Sequence, residues 1–166
     1  MEKFSNEYAD LHKELKVELS SLELNEGEQY IVKYSEIPWF PHGQFAIFLV
    51  ENKFTHHYKL IEKTWDSEYD RERFSTGVFN LDRLCIRTRD IQIPFDKQKE
   101  CQDLIQSLSF IPETLESQGY IILDGIEYEL AINTNSISKK YKWKKATDDI
   151  KYFESLISFM KTLVEQ

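Results

Sequence analysis

A chain of 166 residues is long enough for one domain and should bury roughly 70% of the surface its unfolded form exposes, so its core needs neither disulfide nor metal. Its 41% hydrophobic and 14% aromatic content, with five glycines and four prolines, describes a globular chain and argues against a disordered adaptor. A formal charge of −8 and a pI near 5.1 argue against coating nucleic acid or an anionic membrane, since both rest on Lys and Arg neutralising phosphate; a partner carrying positive charge fits better.

Met1 to Leu15 mixes charges with isolated apolar residues and has no apolar h-region, so no secretory signal is read there. Phe4, Tyr8, Leu11, Leu15, Leu19 and Leu22 recur every three or four residues, the stripe of an amphipathic helix with Glu7, Asp10, Glu14 and Glu18 on its outer face. His12 reads as a surface residue of that helix. Asn25-Glu26-Gly27 should end it, and Tyr30 to Ser35 reads as the first strand. Two prolines bracket two aromatics in Ile37-Pro38-Trp39-Phe40-Pro41-His42-Gly43, which predicts a constrained loop or edge displaying apolar side chains. Phe45 to Val50 is continuously apolar and should be the innermost strand, covered on both faces.

Alternation resumes from Phe54 to Trp65, with Phe54, His56, Tyr58 and Leu60 on one face. Neighbouring strand residues point apart, so His56 and His57 cannot chelate one ion from regular geometry. Acids recur at every second position in Trp65-Asp66-Ser67-Glu68-Tyr69-Asp70-Arg71-Glu72-Arg73 and would share a face if the segment were extended. It begins like a calcium loop but has Arg71 where glycine is needed and Gly77 where a bidentate glutamate is needed. Arg83 to Ile93 reads as a strand ended by Pro94. Arg83, Arg87 and Arg89 sit at even spacings around Cys85, a possible anion pocket on one strand face; pairing with nearby acids is the plainer account. Asp96 should then cap a helix striped by Cys101, Leu104, Ile105 and Leu108 and ended before Pro112.

Asp124-Gly125 separates two apolar runs and is the strongest short hairpin signal in the chain, because a type I′ turn needs positive φ at both central positions. Beyond it, Ile126, Tyr128, Leu130 and Ile132 alternate with Glu127 and Glu129, and Tyr141 and Trp143 alternate with Lys140, Lys142 and Lys144. Antiparallel pairing of these strands would align the glutamates and lysines as a solvent-side ladder. Thr147 should cap a closing helix, with Asp148 and Asp149 in its first turn and Ile150, Phe153, Ile157, Met160 and Val164 as its buried stripe. This layout, from Tyr120-Ile121-Ile122-Leu123 through the Asp-Gly turn, Tyr141-Lys142-Trp143 and a terminal amphipathic helix, resembles one shared by small uncharacterised bacterial proteins. Some of those are similar to immunity proteins of contact-dependent or secreted toxin systems. The resemblance implies a stoichiometric inhibitor and names no catalytic residue.

The fold class expected is α+β: a single domain over residues 1–166 with a mostly antiparallel sheet of about six to seven strands and N-terminal, middle and C-terminal helices. No Gly-rich phosphate loop, G-x-S-x-G, H-E-x-x-H or paired C-x-x-C is present, so no cofactor and no metal are expected, and the reading leans away from an enzyme. Cys85 and Cys101 are too far apart for a ligand motif and read as reduced thiols in a cytoplasmic protein. No apolar run approaches a membrane span. The function expected is protein binding by an acidic domain of the immunity type, with Trp39, Phe40, His42, Trp65, Asp66, Glu68, Tyr69 and Asp70 as contacts. The alternative is a small-molecule binder or enzyme with a site on the sheet face, using Arg83, Arg87 and Arg89 for an anion.

Overall fold

The computed structural model describes residues 2–38, 43–76, 83–108, 126–134, 137–143 and 153–166, with side chains of the first helix from residue 9 onward. Helix α1 (Glu2–Ser20) precedes a meander of β1 (Glu28–Pro38), β2 (Phe45–Asn52), β3 (Tyr58–Trp65) and, after the short helix α2 (Ser67–Ser75), β4 (Ile86–Gln92). Helix α3 (Phe95–Ser107) follows, then the hairpin of β5 (Ile126–Asn133) and β6 (Ser138–Trp143), then α4 (Glu154–Val164). All five strand pairings are antiparallel, and the six strands lie in the order β4-β3-β2-β1-β5-β6, an α+β fold. β1 and β2 share the centre, which is why Phe45 to Val50 reads as apolar without alternation.

Helices cover both faces. On one, Cys101 of α3, Leu108 at its C-terminal cap, and Leu156, Met160 and Leu163 of α4 pack on Tyr34, Ile47, Leu49, Leu60, Leu130 and Ile132. On the other, Leu19 of α1 meets Ala46, Phe48, Val50 and Ile61, while Leu11 and Leu15 meet Trp65. Hence three layers form, with the α1 stripe landing where its spacing predicts. A bulge serves both faces: Tyr30 pairs with Val50 and Val32 with Leu49, so Ile31 is the extra residue. Tyr30 thereby turns to the α1 face, its ring 6.3 Å from that of Phe48, while Val32 turns to the other.

Several local expectations need correction. Residues 37 and 38 belong to β1, with Pro38 paired to Ile126 of β5, because on its β5 side the strand runs two residues beyond the end of its ladder with β2. β3 begins at Tyr58, not Phe54: the Asn52 side chain accepts from the Phe54 and Thr55 N–H groups, His56 has φ of 55°, and Phe54 is 75% exposed. Phe54 lies against Gly27, where a Cβ would meet its ring at 2.1 Å and φ is +81°, so glycine is required there. Asp96 lies in the first turn of α3 rather than capping it, since Pro94 holds the cap position. The Asp124-Gly125 turn and the Thr147, Asp148, Asp149 and Ile150 helix start lie outside the described residues, as do Trp39, Phe40 and His42. No described helix is long and apolar enough to cross a membrane.

Candidate functional site

Helix α2 and the end of β3 gather the described residues expected to touch a partner. Asp66 leaves β3 and caps α2, its Oδ1 accepting from the Tyr69 N–H at 3.2 Å and its Oδ2 bonded by the Arg87 guanidinium. The Tyr69 N–H and then Arg87 hold the Asp66 carboxyl below its usual range. A helix therefore forms over this acidic segment, so the four acids do not share one face as they would in an extended chain. Glu68 and Glu72 are exposed, and Asp70 is 0% exposed.

Asp70 is the anchor of this region. Its Oδ2 accepts from Trp65 Nε1 at 2.8 Å and from the Cys85 N–H at 2.7 Å, and Arg73 lies 3.3 Å from its Oδ1. This ties α2 to the end of β3 and to the chain entering β4. Trp65, 5% exposed, belongs to the core with Leu11 and Leu15, so neither it nor Asp70 is displayed at the surface. Tyr69 is displayed: it is 54% exposed, with the Arg73 guanidinium 6.0 Å from its ring centre.

The arginines do not assemble a pocket. Arg83 precedes β4; Arg87 and Arg89 share a strand face, with Arg87 on Asp66 and Arg89 on Glu62 at 3.0 Å and on the Val164 carbonyl at the end of α4. Pairing with acids thus accounts for Arg87 and Arg89. His56 pairs with Glu51 at 3.0 Å on an exposed turn. Among the described residues no three His, Cys, Asp or Glu side chains are grouped to hold a metal ion.

No family model, curated protein or solved structure matches this chain.

The least expected side chains lie under α1. Glu129, read as a solvent-side residue, is 8% exposed, because α1 and β1 bring lysines over the predicted ladder. Lys33 of β1, 7% exposed, bonds its Oε1 at 2.9 Å, while Lys140 and Lys142 reach its Oε2 at 2.9 and 3.4 Å. Burial alone would raise the Glu129 carboxyl, but the Lys140 and Lys33 ammoniums outweigh it and hold it down to about 2. Lys16 of α1 bonds Glu127 at 2.7 Å. His12 is half-buried between helix and sheet instead of on the surface; burial, then Lys16, lowers its pKa against Glu127 and the Ile37 backbone. Lys63 of β3 donates to the carbonyls of Glu18 and Ser21 and to the Ser21 hydroxyl at 2.5, 2.8 and 2.9 Å, which caps the end of α1. A signal for Lys33 exists in the sequence: it interrupts the apolar run from Tyr30 to Tyr34, so a doubly covered strand must take it inside.

Proposed function

We propose that the chain acts by binding a protein partner stoichiometrically, in the manner of an immunity-type inhibitor, through the surface presented by α2. The observation that carries this reading is Tyr69, a half-exposed aromatic ring on a helix fastened from below by Asp70. A pre-positioned aromatic loses little freedom on binding, which is why such residues serve as interface anchors. Glu68, Arg71 and Glu72 are exposed around it and supply a charged rim for a basic partner to be steered along. A reducing cytoplasm suits the two free cysteines, Cys85 and the buried Cys101, whose thiol burial pushes up to about 12.

The test uses the wild-type chain as bait, followed by binding measurements on the purified captured partner. Tyr69→Ala should weaken binding by ~2 kcal/mol, roughly 30-fold, with an unchanged unfolding transition. Glu68→Lys with Glu72→Lys should chiefly slow association and flatten its salt dependence. Full affinity in Tyr69→Ala would overturn the reading. Trp65→Ala is not a substitute, because the indole is a core residue.

A further inference from the structure

The α1 face contains two buried lysines with different surroundings. Lys63 has a protein acceptor for each of its three N–H donors, so its chemistry is used up in holding the helix end. Lys33 has two, the Ser20 hydroxyl at 2.5 Å and Glu129 at 2.9 Å. Its third donor is not taken by the protein among the described residues, and Lys33 lines a cleft of about 520 Å³.

The cleft has a clear origin in the sheet. One rung runs Phe48, Lys33, Ala131, Lys140 across β2, β1, β5 and β6. α1 stops at Ser20, leaving the β5 and β6 end of this rung beyond its last turn, and Ala131 is too small to fill the space. Three lysines, Lys33, Lys139 and Lys140, line the cleft with a single carboxylate, Glu129, leaving two positive charges in excess in an otherwise acidic protein. Ser20 and Ser138 add hydroxyls. Leu22, Leu24 and Phe48 supply an apolar wall. The volume falls in the range of small-molecule sites.

We infer that this cleft binds a small amphiphilic anion, a carboxylate or phosphate head on an apolar body. The head lies over Ala131 between Lys33 and Lys140, and the body lies against Leu22, Leu24 and Phe48. The site is on the opposite layer from Arg87 and Arg89 and independent of the partner surface on α2.

Titration calorimetry on the full chain, with decanoate, decyl phosphate, decanol and inorganic phosphate each below micelle formation, tests the inference. Saturable one-to-one binding of decanoate, decyl phosphate or both is expected, and which of the two binds tighter identifies the head. Decanol and inorganic phosphate should each bind at least ~10-fold more weakly, since each lacks half of the ligand. Lys33→Met should weaken the anion ~10-fold or more. Ala131→Phe, which fills an open hollow without burying a charge, should abolish binding while the fold persists. Lys97→Ala, the same loss of charge on α3, should leave affinity unchanged. Decanol binding as tightly as decanoate, binding unaltered by Ala131→Phe, or no saturable binding by either anion would overturn the inference. If Lys33→Met fails to fold, Lys140→Ala with Ala131→Phe decides it.

Discussion

The two faces of one sheet are built by different chemistry. Against α3 and α4 the buried contacts are chiefly rings and aliphatic chains, with Tyr141 and Trp143 of β6 4.9 and 6.2 Å from the Phe153 ring, and the polar ones are Gln98 on the Tyr58 backbone and the partly exposed pair of Lys161 with Glu36. Against α1 the same strands offer Lys33, Lys63, Glu127 and Glu129, and the helix answers with Lys16, Ser20, Ser21 and its own terminal carbonyls. Dispersion and burial tolerate sliding, whereas hydrogen-bonded charges fix one geometry because a misplaced charge stays unpaired. The difference assigns stability mainly to the α3 and α4 face and the docking angle of α1 to the other. It also shows why an apolar stripe is a poor guide to what its helix lands on.

The contrast can be broken at either face. Phe153→Ala should cost ~3–5 kcal/mol in denaturant unfolding, as cavity formation in a filled core does. Glu129→Leu should cost ~3 kcal/mol by leaving Lys33 buried without its carboxylate, while adding Lys33→Met should return stability to within ~1 kcal/mol of the parent. Additive losses in that double mutant would show that the polar face stabilises in the same way as the apolar one.

Acid should loosen the α1 face. Between the usual Glu value of 4.5 and about 2, the unfolded chain holds a proton on Glu129 that the folded chain does not. Stability is therefore full above that window and falls as pH drops through it, by up to ~3 kcal/mol. The lowered His12 acts with the same sign below 6.5, since the unfolded imidazole takes its proton first. Unfolding midpoints from pH 7 to 2 should show this slope, and Glu129→Gln should flatten it. The smallest effect, ~1–2 kcal/mol, is expected for Lys63→Met, which frees the end of α1. Hydrogen exchange should quicken at the Ser21 amide, bonded to the Val17 carbonyl at 2.9 Å, and not at β2.

The α1 stripe, the double cover of β2 and the alternation of β5 and β6 were legible because each is a local period with a single structural solution. Two misreadings had local causes as well. Acids at every second place from Asp66 to Glu72 imitate a strand, but Asp66 with the Tyr69 N–H three residues on is a helix start, and the cap prevails. His56 and Phe54 continue the β3 alternation in type, but the Asn52 side chain organises a turn there. Glu129 was illegible for another reason: alternation gives its face, while the partner that covers it comes from β1. Of the partner residues expected, Tyr69 and Glu68 are displayed, Asp66 is half-buried, and Trp65 and Asp70 support them from the interior.

β1 waits for β5. Lys33 and Glu129 are 96 residues apart, so at ~5–20 residues per second the ribosome needs roughly 5–20 s to deliver the strand that completes the centre of the sheet. Meanwhile β1 to β4 can already form a meander whose exposed edge runs from Val32 to Pro38, an invitation to pair with another nascent chain. Lys33 and Glu36 place charge along that edge, and Pro38 ends it without an N–H donor. Residues that look out of place in a finished core thus put charge on the edge that stays open until β5 is made.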